Sequence, residues 1–238
     1  LTLRQKEYVY HLGEAAKYGR DILWDQHCKA NLPIRHAIEN ILVNYGGDRE
    51  CRDFQDFTVY AKRVFFSNGI HHHYAEDKFF PGCPREYFSS LMDAVGIPAA
   101  EASELLEIIY NPDIYPQRKS NSSEGDIVAL SAVNFYDGVT REEVENYYHG
   151  IQNPDDPEPI SYGLNTKVVK GDDGVVREEV WKIGGIYSPA LERIAAELEK
   201  ASAVAENDLQ KQYIATLIEY YRTGDLRLWD KYNIEWVQ

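Results

Sequence analysis

One pair of alternating segments interrupts a chain that is otherwise patterned for helices. Residues 161–170 and 175–183 alternate in hydrophobicity, are rich in Val, and flank the turn sequence KGDDG. Alternation with a period of two is typical of half-buried strands, and an Asp-Gly turn between two such runs indicates a hairpin. The sequence therefore predicts one β-hairpin, at about residues 161–183, that turns at residues 171–174.

The rest of the chain shows apolar residues at helical spacing. We expect helices over about residues 2–26, 33–46, 53–68, 84–96 and 98–111, because apolar positions recur there every three or four residues. Thr140 and Glu143 form a capping-box pattern for a helix after residue 140. Further helices are expected from Ser188, from Asp208 and around Trp229. The fold class that follows is α+β and mainly α-helical, with helices on both sides of the hairpin.

The sequence NPDDPEP, residues 153–159, cannot continue a helix because two of its prolines lie in the interior of the run. It separates the helical part of the chain from the alternating segments. We therefore expect a mainly helical subdomain over residues 1–152 and a linker over 153–160. The second part, residues 161–238, would hold the hairpin and the helices that follow it.

The charge balance excludes one class of partner. The 238 residues include 25 Lys and Arg against 39 Asp and Glu, a formal net charge of -14. Nucleic acid would be repelled by this field, since phosphate binding needs clustered basic side chains. No apolar run approaches the length of a membrane span. Three cysteines without a CxxC spacing predict a reducing compartment, the cytoplasm, with the periplasm left open.

A run of three histidines, His71-His72-His73, is the most conspicuous local feature. Imidazoles bind zinc, nickel or copper, and alternate residues of an extended chain share a face, so His71 and His73 with a carboxylate could chelate an ion. The alternative is a polar segment that lines a cleft. The motifs HExxH, GxSxG and GxxxxGK[ST] are all missing. From the residues alone we expect neither a catalytic residue nor a bound metal within this chain.

Three segments resemble bacterial members of the dipeptidyl peptidase III family (peptidase family M49). They are residues 65–82 (FFSNGIHHHYAEDKFFPG), residues 161–201 (SYGLNTKVVKGDDGVVREEVWKIGGIYSPALERIAAELEKA) and residues 217–238 (LIEYYRTGDLRLWDKYNIEWVQ). The resemblance implies a zinc-dependent exopeptidase that releases N-terminal dipeptides from short peptides. It also implies that the hairpin is part of a small β-barrel.

The family's zinc motifs, HExxxGH and EExRxE, do not occur in this sequence. The strand that carries the family's acidic residue and Tyr would follow Gln238. The resemblance thus implies that this chain is the N-terminal, non-zinc lobe of such an enzyme. The lobe would be inactive without the rest of the parent chain, and the zinc lobe of that parent would be its partner. Zinc would be a cofactor of the full-length parent only.

Four residues are implied as contacts for the substrate's N-terminal dipeptide: Asn68, Gly69, His73 and Tyr74. Tyr74 would supply ring contact and a hydroxyl, unless it is simply one of the chain's many core aromatics. Two other interpretations remain open. One is a non-catalytic binding or scaffold module that shares ancestry with the peptidase lobe, and the other is a small metal-binding protein that uses the histidine run.

Overall fold

A computed structural model describes the whole chain, residues 1–238. It contains ten helices and three short strands, which confirms the α+β, mainly helical class. The helices are α1 (Leu3–Tyr18), α2 (Arg20–His27), α3 (Asn31–Asn44), α4 (Arg52–Ser67), α5 (Arg85–Ala94), α6 (Ala99–Tyr110), α7 (Arg141–Ile151), α8 (Ser188–Ala203), α9 (Asp208–Thr223) and α10 (Leu226–Val237). The strands are β1 (Tyr136–Asp137), β2 (Thr166–Lys170) and β3 (Val176–Val180).

The predicted hairpin is present, with shorter strands than the alternation suggested. β2 and β3 pair antiparallel from Thr166 opposite Val180 to Lys170 opposite Val176, and the chain turns at residues 171–174. β3 ends at Val180 because the chain folds back there, so that the Ile186 amide donates to the Val180 carbonyl at 3.1 Å. The short strand β1 pairs parallel with β2, and the sheet order is β1-β2-β3.

Side-chain caps mark where four of the ten helices begin. The capping boxes at Thr2 and Thr140 are both formed. The helix expected over residues 2–26 is divided at Gly19 into α1 and α2. Helices α8 and α9 begin at Ser188 and Asp208, as expected. Tyr187, with φ 63°, precedes α8, and the Asn207 side chain caps α9 by accepting from the Gln210 amide. None of the ten helices combines the length and apolar character that crossing a lipid bilayer requires.

The chain forms two compact units, and their limits differ from the division expected at residues 153–160. One unit comprises residues 1–22 and 135–238, and the other comprises residues 23–134. Residues 135–152 join the hairpin because β1 pairs with β2 and because the Tyr148 hydroxyl donates to Glu178 on β3 at 2.9 Å. The proline-rich segment marks where a helix cannot continue, and contacts between elements extend across it.

Each unit has its own apolar core. In the unit of residues 23–134, helices α3 to α6 bury a cluster that includes Phe57 and Phe88, whose rings meet edge to face at 5.0 Å. In the other unit, α1, α8 and α9 pack through Leu191, Leu198 and Ile214. The candidate site described below lies within residues 23–134.

Candidate functional site

The candidate site begins where helix α4 ends. Asn68 takes the left-handed conformation, with φ 52°, and caps α4. Gly69 follows with φ 151°, and a Cβ added there would lie 2.4 Å from Nδ2 of Asn31. The buried Asn31 side chain holds this turn, since its Oδ1 accepts from the Ile70 amide at 3.1 Å and its Nδ2 donates to the Trp24 carbonyl at 3.0 Å. Only glycine fits the second position of the turn.

Residues 71–78 form a tight loop, called the Tyr74 loop here. At its base the backbones of His71 and Lys78 form an antiparallel β-bridge, and the His72 amide donates to the Asp77 carbonyl at 2.7 Å. Near its tip Glu76 has φ 67°, a conformation that non-glycine residues rarely adopt. The loop is therefore held in one conformation by contacts that outweigh its backbone strain.

An ion pair between Glu76 and Arg118 is one of these contacts. The Glu76 carboxylate accepts from Nε and from a terminal nitrogen of Arg118, both at 2.7 Å, which is the bidentate arrangement. The same guanidinium donates to the His73 carbonyl at 3.2 Å. Hydrogen bonding to Arg118 lowers the pKa of Glu76 below its usual range. Arg118 thus fixes both sides of the loop tip.

Lys78 anchors the other end of the loop. Its ammonium is buried and donates to the carbonyls of Ile108, Asn111 (2.7 Å) and Ile114 (2.8 Å), at and just beyond the end of α6. Helix ends leave such carbonyls without partners and attract positive charge. Burial lowers the pKa of Lys78 to about 8. The cation serves here as a cap for α6.

The three histidines have three different environments. His71 is 2% exposed, and its Nε2 donates to the Tyr115 carbonyl at 2.8 Å. Burial lowers the pKa of His71 to about 4, which keeps the ring neutral near pH 7. The Nδ1 atom of His72 accepts from the amides of Tyr74 and Ala75 at 3.2 and 3.0 Å. His73 stacks on His72 with ring centroids 4.8 Å apart.

This arrangement does not form the chelating pair that the alternation of His71 and His73 suggested. His71 faces the interior with Nε2 already bonded, whereas Nδ1 of His73 lies 3.4 Å from the Ser67 hydroxyl. No group of three or more His, Cys, Asp or Glu side chains in the chain is placed to hold a metal ion. The residues present therefore do not fit a zinc centre.

Tyr74 lies at the tip of the loop and is 83% exposed, so it is not a core aromatic. Its ring is tilted against that of His73, with centroids 4.4 Å apart. Together with Gln117, Lys119 and Asn121 it borders an open depression of about 370 Å³. Of the four predicted contacts, Tyr74 is exposed, His73 and Asn68 are half-buried, and Gly69 is buried in the turn.

Sequence reasoning did not identify Arg118 or Lys78. Arg118 lies in the polar segment 116–125, whose composition predicts a mobile loop. In the structure, backbone hydrogen bonds fix the start of that segment. The Arg118 amide donates to the Glu76 carbonyl at 2.9 Å, and Gln117 forms β-bridges with both Asp77 and Ser131. No signal in the sequence pairs Arg118 with a carboxylate so far away along the chain.

Comparisons with known proteins agree with this architecture. A profile of Peptidase family M49 matches residues 166–238. The dipeptidyl peptidase 3 proteins of Rattus norvegicus and Homo sapiens are each 22% identical over the whole chain, and the chain spans only 38% of their length.

Two solved structures share the fold. They are DPP III from Caldithrix abyssi (21% identity, TM-score 0.60, 99% of this chain) and dipeptidyl-peptidase III from Corallococcus sp. strain EGB (18% identity, TM-score 0.60, 100% of this chain). In both cases the match covers 33% of the solved chain. The resemblance noted in the sequence is confirmed: this chain is related to the dipeptidyl peptidase III proteins of peptidase family M49, and its match is consistent with an N-terminal portion of them.

Proposed function

We propose that this chain is the substrate-binding, non-zinc lobe of a zinc-dependent exopeptidase that releases N-terminal dipeptides from short peptides. The observation that carries the proposal is the placement of Tyr74. An aromatic side chain that is 83% exposed stands beside an open depression, on a loop fixed by the Glu76–Arg118 pair. An exposed ring held by a rigid loop loses little conformational entropy when it contacts a ligand.

In this proposal each of the four predicted residues has a defined part. Tyr74 offers its ring face and its hydroxyl to the N-terminal dipeptide of the substrate. The His73 ring packs against the Tyr74 ring, at a centroid distance of 4.4 Å. Asn68 and Gly69 set the direction in which the loop leaves α4, through the turn held by Asn31.

Zinc would polarise the scissile carbonyl and activate water in such an enzyme. Because no set of ligands is assembled here, we assign the zinc ligands to sequence outside these 238 residues. The partners are then a short peptide and the zinc lobe of the same parent protein, and the chain alone is inactive. The three-stranded sheet would form part of that protein's β-barrel. The cytoplasm remains the predicted compartment, with the periplasm as the alternative.

The test compares the natural gene product that carries this sequence with the 238-residue chain. Both are assayed for release of 2-naphthylamine from dipeptidyl 2-naphthylamides, with zinc and after chelation. We expect zinc-dependent turnover by the gene product and none by the chain. Turnover by the purified chain would contradict the assignment of the zinc ligands. A gene product that binds peptides without cleaving them would favour the scaffold interpretation instead.

A further inference from the structure

Helix α4 presents a second surface, which shares only His73 with the residues of the proposed function. Val59, Lys62, Arg63 and Phe66 occupy positions i, i+3, i+4 and i+7, so they share one face of the helix. That face is open, since Val59 is 48% and Phe66 is 75% exposed. The face forms one wall of a groove of about 670 Å³, whose other side includes His72 and Phe79. We call this the α4 groove.

Rings line the groove as a continuous series. Phe66 meets His73 edge to face at 5.0 Å, His73 stacks on His72 at 4.8 Å, and His72 meets Phe79 edge to face at 5.8 Å. Because Nδ1 of His72 accepts two backbone amides, a neutral His72 ring carries its proton on Nε2 and remains a donor there. The groove thus combines apolar ring surface with a polar donor.

Two positive charges line the same groove without a carboxylate partner. Neither Lys62 nor Arg63 forms an ion pair, whereas Arg52 on the same helix pairs with Asp56 at 2.9 Å. A ligand that matches the groove carries a negative charge.

We propose that the α4 groove binds an acidic peptide segment, with a carboxylate between Lys62 and Arg63 and a neighbouring apolar side chain against Phe66 and Phe79. A peptide fits better than a bare anion because apolar surface lies beside the charged pair and would remain exposed under phosphate. The volume lies within the range of about 300–1,000 Å³ that is usual for ligand sites. The groove does not include Tyr74, so binding there requires neither a free N-terminus nor zinc.

The probe is the blocked tripeptide Ac-Phe-Glu-Leu-NH2, with Ac-Phe-Gln-Leu-NH2 as its uncharged match. Each is titrated into the 15N-labelled chain, and amide shifts give the affinity and the location. We expect shifts at residues 59–66 and 72–79, and an affinity for the Glu peptide at least about fivefold higher than for the Gln peptide. Phe66→Ala should weaken binding at least about threefold, because the apolar contact is lost.

The double variant Lys62→Gln/Arg63→Gln should abolish the preference for Glu over Gln. Its matched control, Lys6→Gln/Lys211→Gln, removes two exposed charges that are distant in sequence from the residues of the groove, and it should retain the preference. Equal affinity for both peptides, or no binding to the wild-type chain, would overturn the proposal. So would equal shifts from inorganic phosphate alone, which would indicate a simple anion site. Acetylated probes cannot report on recognition of a free amino terminus, so these results are independent of the dipeptidyl peptidase assay.

Discussion

Glu76 and Arg118, 42 residues apart, are joined by two hydrogen bonds of 2.7 Å between carboxylate and guanidinium. The pair holds the Tyr74 loop in a conformation that Glu76 would not adopt by itself. Arg118 is therefore a positioning residue. It contacts the loop through Glu76 and the His73 carbonyl, and it acts on Tyr74 only through these contacts.

Arg118→Lys keeps the charge but cannot form the bidentate bond. We expect the free energy of unfolding to fall by about 1–2 kcal/mol, since the pair is only partly shielded from solvent. Amide exchange at Ala75 and Glu76 should also become faster. Arg52→Lys, which changes an exposed ion pair with Asp56, is the matched control and should cost less than about 0.5 kcal/mol. Unaltered exchange in the loop would show that Arg118 does not position it.

Tyr74→Ala in the natural gene product that carries this sequence tests the proposed substrate contact. If the ring binds the dipeptide equally in the ground and transition states, KM should rise by an amount equivalent to about 1–3 kcal/mol while kcat is retained. The melting temperature should barely change, because the side chain is 83% exposed. Tyr10→Ala, at an exposed tyrosine of α1, should leave KM unchanged. An unchanged KM for Tyr74→Ala would show that the assignment is wrong.

His71 should make the chain less stable in mild acid. Burial lowers its pKa from 6.5 to about 4 in the folded state, so between these values the unfolded chain binds a proton that the folded chain does not. Stability is therefore full above pH 6.5 and declines as the pH falls towards 4, by on the order of 3 kcal/mol. His27, whose pKa is also lowered by burial, adds to the decline.

Urea unfolding between pH 7.5 and 4.5 measures this effect, and direct NMR titration of the His71 ring identifies its source. The exposed His36→Gln should leave the slope of stability against pH unchanged. A His71 ring that titrates near pH 6.5 in the folded chain would contradict the prediction.

Gly69→Ala should be strongly destabilising. The new Cβ would lie 2.4 Å from the Asn31 amide, and φ of 151° disfavours any L side chain. We expect a loss of at least about 2 kcal/mol, measured by urea unfolding. Gly46→Ala is the matched control, because nothing lies within 4 Å of its added Cβ. Equal stability of the two variants would show that the turn relaxes without cost.

Local signals made most of the secondary structure predictable. The capping box at Thr140 and the Asp-Gly turn before Val175 act within a few residues, so the sequence reveals them directly. Contacts between distant residues are different. His71 and Tyr74 lie in one polar run, yet the first is 2% and the second 83% exposed. Their difference comes from what the loop packs against, namely Tyr115, Arg118 and the end of α6, and no local pattern encodes that.

Lys78 has a consequence for how the chain opens. Its ammonium takes the place of solvent at three carbonyls around the end of α6, so the loop cannot move away without breaking those three hydrogen bonds. Fraying of the last turn of α6 and release of Tyr74 are therefore one event with one free-energy cost. In hydrogen exchange, amides of the two segments should share a single opening free energy, and together they constitute one foldon.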